Sequence, residues 1–190
     1  LSAEDKNFYT HPGIDVMGLM RAVVTNVQNF GSGRRPVGAS TITQQVAKNF
    51  LLDSSVSYDR KVREMILSFR IEQAYSKDRI LELYLNEIYL GFVIPGYGAY
   101  GVAAAALVYF DKSVNELTVA EAAYLAALPK GPTNYHPYRH TERALERRNW
   151  VIDQMVANGY VDVEEGERQK ALPLGVNPRR GGNYLFAGEY

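Results

Sequence analysis

Two glutamates in this sequence stand beside the residue types that group transfer needs. Glu4 opens the stretch Glu4-Asp5-Lys6-Asn7-Phe8-Tyr9-Thr10-His11-Pro12-Gly13. There the aromatic pair and the Pro-Gly turn can wall a carboxylate from water, raise its pKa and suit it to proton transfer at neutral pH. Glu64 ends Asp59-Arg60-Lys61-Val62-Arg63-Glu64. Three cations near a helix N-terminus oppose the macrodipole at a cost of about 0.3–1 kcal/mol each, a conflict an anionic ligand would remove. Lys61 and Arg60 reach Glu64 at i, i+3 and i, i+4, so one helix face can bind phosphate oxygens and hold a carboxylate beside them. Between the two glutamates lies Gly38-Ala39-Ser40-Thr41-Ile42-Thr43-Gln44-Gln45-Val46-Ala47-Lys48. On a helix Thr41, Gln45 and Lys48 share one face, presenting hydroxyl, amide and ammonium, while Ile42 and Val46 point elsewhere. Gly38 leaves the N-terminus of that helix open, where free backbone N–H groups favour an anion such as a phosphate.

Singly, each stretch also reads as plain structure: a solvated cap, an ordinary surface helix, surface ion pairs worth under ~1 kcal/mol. Together they suit transfer of a sugar from a phosphate leaving group. A base takes the proton of an acceptor hydroxyl, and cations stabilise the charge growing on a departing pyrophosphate.

The elements that must position these groups are mostly helical. Asp15 caps a helix through Phe30, ended by the basic, glycine-rich Gly31-Ser32-Gly33-Arg34-Arg35-Pro36. Ser40 is the expected N-cap for Thr41 to Leu52, closed by Asp53-Ser54-Ser55. Asp59 to Gly91 reads as two tandem helices breaking near Ser76. Gly96, Gly98 and Gly101 punctuate a loop before a small-residue helix, Val102 to Phe110. Thr118 with Glu121 forms a capping box for a helix ending at Pro129. Thr141 to Ala157 is amphipathic, stopped by Asn158-Gly159, and a short acidic segment runs from Asp162 to about Lys170. Strand patterns are scarce, so the fold class is mainly α.

Composition bounds the rest. A chain of 190 residues with 46% hydrophobic and 22% charged content is an ordinary globular domain. Zero formal net charge gives no global drive toward nucleic acid, and zero cysteines exclude disulfides, thiol nucleophiles and thiolate metal sites. No apolar run reaches the roughly 18 residues of a spanning helix. The abrupt start on motif-like residues reads as a domain cut from a longer protein.

The three stretches, in this order, resemble the peptidoglycan glycosyltransferase domain of penicillin-binding proteins, glycosyltransferase family 51. Its motif Glu-Asp-x-x-Phe-x-x-His-x-Gly is met by Glu4, Asp5, Phe8, His11 and Gly13. Gly-x-Ser-Thr-x-Thr-Gln-Gln is met by Gly38 and Ser40 through Gln45, and Arg-Lys-x-x-Glu by Arg60, Lys61 and Glu64. Leu83-Tyr84-Leu85-Asn86, Ala99-Tyr100-Gly101 with Tyr109-Phe110, and Leu125 through Lys130 resemble its later motifs. Two departures bear on loop geometry: Phe92 to Tyr97 looks like an insertion, and Asp111 stands where a glycine usually follows the Tyr-Phe pair.

The resemblance implies a lysozyme-like helical lobe over a domain of residues 1–182, with a smaller membrane-dipping lobe at roughly 16–36. For that stretch the residues themselves leave membrane insertion and a core helix equally open. The resemblance further implies polymerisation of lipid II at the outer face of the bacterial cytoplasmic membrane. The donor would be glycan on undecaprenyl pyrophosphate, and the product a β-1,4 bond formed with inversion. Glu4 would deprotonate the acceptor 4-hydroxyl, and Lys61, Arg60 and Lys48 would neutralise the leaving pyrophosphate. Glu64 would hold that group directly or through a divalent cation, Mg²⁺ or Mn²⁺. Thr41 and Gln45 would line the donor site, Ser40 and Phe8 would also contact substrate, and Asp5 and His11 would bind there while organising the surroundings of Glu4. The chain contains no Ser-x-x-Lys, the expected transpeptidase nucleophile of a bifunctional protein's second domain. Asn183-Tyr184-Leu185-Phe186 resembles the linker into such a domain, favouring a bifunctional parent.

Two rivals remain at this level. A muramidase or lytic transglycosylase explains Glu4 but not the cationic cluster. A noncatalytic cell-wall or membrane binding module explains the amphipathic helix and basic loop but leaves both glutamates idle.

Overall fold

Asp15 starts the first helix: one carboxylate oxygen accepts the Gly18 N–H at 2.8 Å and the other accepts from the Asn7 amide at 2.9 Å. The computed structural model describes residues 1–31, 33, 38–51, 58–93 and 98–178. Helix α1 spans Val16–Gln28 and ends before Phe30, because the Asn29 N–H turns back onto the carbonyls of Thr25 and Val27. Its apolar side chains face outward. Met17, Met20, Val24 and Val27 are all more than half exposed, and Ala22 is the buried position. That disposition does not fit a core helix. Arg34-Arg35 and Asp53-Ser54-Ser55 lie outside the described residues.

Helix α2 (Ile42–Leu51) is capped by Thr41, not by Ser40. Thr41 Oγ1 accepts the Gln44 N–H at 3.1 Å and Gln44 Oε1 accepts the Thr41 N–H at 2.9 Å, a reciprocal capping box. The Ser40 hydroxyl is instead engaged by Lys61 at 3.0 Å. Helices α3 (Tyr58–Ala74) and α4 (Lys77–Glu87) break at Ser76, whose hydroxyl accepts the Arg79 N–H at 3.3 Å.

The helical run does not continue to Gly91. Strand β1 (Tyr89–Phe92) pairs antiparallel with β2 (Gly98–Tyr100), with Tyr89 opposite Tyr100, so Gly98 lies in a strand rather than a loop. Within β1, Gly91 takes φ +88°, and a Cβ there would sit 2.8 Å from the Pro132 side chain. Only glycine allows that backbone together with so close an approach. Of the apparent insertion, Phe92 belongs to β1 and Val93 is buried, whereas residues 94–97 lie outside the described set.

The chain divides into two compact units, Leu1–Glu87 and a second from Ile88 onward. In the first, α2 packs on α3 and α4 around Phe8, Ile42, Val46, Ile71 and Ile80. In the second, α5 (Val102–Phe110) and α6 (Val119–Ala127) bring Tyr109, Phe110 and Tyr124 into edge-on contact among buried alanines. The α6 helix stops at Ala127, and Leu128–Lys130 is a single 3₁₀ turn accommodating Pro129. Asp111 adopts the left-handed conformation (φ 54°) that closes α5. The turn that glycine would make is therefore kept by a short polar residue able to tolerate it.

Helices α7 (Thr141–Ala157) and α8 (Val163–Lys170) complete the second unit. Arg148 on α7 is fully buried, and its guanidinium donates to the carbonyls of Lys170, Leu172 and Pro173 at 3.2, 2.7 and 3.2 Å. One side chain thus ties down the segment leaving α8. Arg148→Met keeps the bulk but strips three part-buried carbonyls of their donor, and should lower stability by about 2–3 kcal/mol in urea unfolding. A loss below about 0.5 kcal/mol would show that the segment finds other donors.

Candidate active site

The residues from Leu1 to Gly13 form successive turns rather than a helix, and Gly13 anchors their end. Its N–H donates to His11 Nδ1 at 3.2 Å, and its carbonyl accepts from Thr41 Oγ1 at 2.6 Å. Its φ is +98°, and a Cβ there would lie 3.0 Å from the backbone of Ser68 on α3. The position requires glycine on both counts. Because His11 Nδ1 accepts, the ring proton resides on Nε2, which donates to both Asp5 oxygens at 3.1 and 3.0 Å.

Asp5 has a second task. Its Oδ2 accepts the Ile42 N–H at 2.9 Å, at the first turn of α2. The helix N-terminus that sequence reasoning left open for a phosphate is thus occupied by the chain's own carboxylate, which satisfies an otherwise unpaired N–H and complements the macrodipole. The Thr41 hydroxyl is likewise committed, to Gly13 and to the α2 cap, so Thr41 shapes the site. Phe8, fully buried, packs edge-on to Tyr9 and His11 and holds the turn against the core.

Glu4 sits on the wall of an open cavity of about 250 Å³ bordered by Asp5, Lys6, Arg21, Ser40 and Thr41. Gln45 Nε2 reaches Glu4 Oε2 at 3.4 Å. From α4, the Tyr84 side chain is 6% exposed, and its hydroxyl makes no hydrogen bond among the described residues. Burial pushes its pKa well above the ordinary tyrosine value, and the charges of Glu4 and Asp5 push it further. The phenol stays neutral within electrostatic reach of the two carboxylates.

The cationic cluster meets the same cavity through Ser40. The Lys61 ammonium bonds the Ser40 hydroxyl and pairs with Glu64, which is 3% exposed. Arg60 is half-buried on the same helix, and Lys48 is exposed on α2. Arg63 pairs with Asp59 at 2.8 Å, both well exposed, so that cation is answered within its own helix rather than held for a ligand. The described residues contain no group of three or more His, Asp or Glu side chains able to hold a metal. An ammonium occupies one Glu64 oxygen, so among the described residues no all-protein donor set of the kind a metal centre needs is assembled.

The fold brings Glu4, Asp5, Ser40 and Thr41 to one cavity, and with them residues that sequence reasoning did not name. Arg21 on α1 reaches the cavity and pairs loosely with Asp15 at 3.8 Å. A lone cation on an otherwise apolar helix was the available signal. Lys77, seen only as part of a helix start, bonds the His11 carbonyl.

A family model described as Transglycosylase matches residues 1–156. Penicillin-binding protein 1A of Rickettsia prowazekii (strain Madrid E) is 53% identical over 179 residues, covering 94% of this chain and 22% of that protein. The protein of the same name from Aquifex aeolicus (strain VF5) is 46% identical over 187 residues, 98% of this chain and 24% of that protein. A Neisseria gonorrhoeae counterpart is 50% identical over 172 residues, 90% of this chain and 20% of that one. The crystal structure of penicillin-binding protein 1A from Haemophilus influenzae aligns with 77% of this chain and 18% of that one at 33% identity, with a TM-score of 0.46. The chain thus spans between a fifth and a quarter of the length of these curated relatives.

Proposed function

We propose, from the premise that this chain belongs to the transglycosylase family, that it polymerises lipid II into the glycan strands of peptidoglycan. One observation carries the reading: Glu4 and Ser40 line a single cavity, and the Ser40 hydroxyl is bonded by the Lys61 ammonium, itself paired with the buried Glu64. In that reaction Glu4 takes the proton of the acceptor 4-hydroxyl. The freed oxygen forms a bond to the anomeric carbon of the donor glycan as the bond from that carbon to the undecaprenyl pyrophosphate breaks. Approach opposite the leaving group inverts the centre and gives a β-1,4 link. Lys61, Arg60 and Lys48 receive the negative charge released on the pyrophosphate, because ammonium and guanidinium groups stabilise charge that develops only as the bond breaks. Glu64 fixes the Lys61 ammonium.

A divalent cation, if used, would enter with the substrate's phosphate oxygens, since the described residues alone do not build its site. No step is assigned to it.

The outward apolar face of α1 supports contact with a lipid surface at the outer side of the cytoplasmic membrane. Among the described residues no helix is long and apolar enough to cross a membrane. Arg34 and Arg35, also assigned to that contact, lie outside the described residues, as do Asn183 to Phe186 of the linker toward a transpeptidase domain in the parent protein. The relatives' name and length support such a bifunctional parent.

The test is the product formed from labelled lipid II in detergent, with and without a divalent cation, beside a parallel incubation with intact sacculi. A ladder of glycan chains from lipid II is the expected result. Soluble muropeptides from sacculi with no ladder would replace the polymerase with a hydrolase, and neither product would favour a binding module.

A further inference from the structure

The first unit holds a part-buried ammonium that the reaction described above does not use. Lys77 is the first residue of α4, where a cation opposes the helix dipole. Its side chain is only 20% exposed. Burying an ammonium costs desolvation, and an apolar residue over the Phe8 ring would serve packing at least as well. Stability alone therefore gives no reason for a lysine here.

Its contacts do. Lys77 Nζ donates to the His11 carbonyl at 2.6 Å and to Glu72 Oε1 at 2.7 Å, with the Phe8 ring centroid 4.6 Å away. The same Glu72 oxygen accepts the hydroxyl of Thr43, a fully buried residue on α2, at 2.6 Å. His11 in turn holds Asp5, and Asp5 holds the Ile42 N–H of α2. These bonds close a ring: Asp5 to α2, α2 through Thr43 to Glu72, Glu72 to Lys77, Lys77 to His11, and His11 back to Asp5. A second bond runs parallel to it, from the Tyr9 hydroxyl to Asp78 at 2.9 Å. Glu4 is the covalent neighbour of Asp5 and is reached by Gln45 of the same α2.

We propose that Lys77 is a positioning residue for Glu4: it fixes the turn that carries the carboxylate relative to α2, acting through the His11 carbonyl and through Glu72. The proposal rests on the reading of Glu4 as the base. A closed ring has one arrangement of its members, whereas an open one lets the turn shift against the helix. A displacement of about 1 Å between reacting groups is enough to cost on the order of 100-fold in turnover. Lys77 touches neither substrate nor proton in this scheme, so its removal should act on kcat and not on KM.

The test compares Lys77→Met, which keeps the unbranched stem over Phe8, with Lys77→Arg, which keeps a cationic donor. Two readings are taken on each chain: the rate of lipid II polymerisation, and hydrogen exchange of the His11 Nε2 proton followed by ¹⁵N NMR. Lys77→Met is expected to lose about 10- to 100-fold in kcat with KM changed less than about twofold. The His11 proton should exchange at least about 10-fold faster while helix content stays at the wild-type level. Lys77→Arg is expected to recover most of both. Wild-type kcat in a folded Lys77→Met chain overturns the proposal. So does an unchanged His11 exchange rate, whatever the wild type does with lipid II. If the wild type makes no polymer, the exchange measurement still decides whether Lys77 holds the turn, so failure of the ring and failure of the polymerase reading are seen separately.

Discussion

Glu4→Gln is expected to abolish chain growth from lipid II while leaving helix content and thermal stability unchanged. The substitution keeps shape and volume and retains an oxygen to accept from Gln45, now at 3.4 Å from the carboxylate. It removes the one property that matters, the ability to take a proton. General-base catalysis contributes about 10²–10⁴-fold, so turnover should fall by about 10³-fold or more with little change in substrate binding. The measurement is the gel ladder of glycan chains, read beside a thermal melt of the same sample. Retained turnover would transfer the base to another group, whereas a lowered melt would show that the carboxylate holds the turn rather than works in it.

Asp5→Ala should cost both fold and function. Asp5 is 6% exposed, and its carboxylate accepts from His11 Nε2 and from the Ile42 N–H. Alanine leaves two buried donors without an acceptor and removes the negative charge that complements the N-terminus of α2. Unsatisfied buried groups cost about 1–3 kcal/mol each, so stability should drop by about 3–5 kcal/mol in urea unfolding. Polymerisation should fall further than the folded fraction accounts for, since the neighbour of Glu4 has lost its anchor. Asp5→Asn, which can accept with one oxygen but turns an NH₂ toward a donor, should fall between the two. A loss under about 1 kcal/mol for alanine would mean that His11 and Ile42 find other acceptors, and the turn would then owe its position to Gly13 and Lys77.

These two residues show how the site divides between the readable and the hidden. That Glu4 and Asp5 are candidates for chemistry was legible because they stand with Phe8, His11 and Gly13 in one short stretch. Their separate roles were not. Asp5 finds its partner 37 residues away, and nothing in the spacing of the first motif says that the open helix N-terminus downstream is its destination. Thr41 too finds its partner far along the chain. Helical periodicity placed it correctly on a face with Gln45, but the face near the N-terminus is turned toward Gly13, so its hydroxyl is spent on the carbonyl there.

The strands illustrate the same limit. Two segments of three and four residues acquire their conformation from each other, and Gly91 lets the first pass close against Pro132. Neither carries enough local pattern to be seen alone.

What the sequence determined by itself was whatever neighbouring residues settle among themselves. The helices Val102–Phe110 and Thr141–Ala157, the Thr118–Glu121 capping box and the break at Ser76 all depend on groups within a turn or two of one another. The mainly helical class follows from them. Only the tertiary structure decided which polar groups would be consumed in holding the site and which would line its cavity. It alone set Asp5 on α2, Lys77 beneath the turn of Glu4, and Arg148 inside the second unit. The physical reason is that a buried polar group must be satisfied by some partner, but the partner's identity is fixed by which elements pack together, and that is a property of the whole chain rather than of any stretch of it.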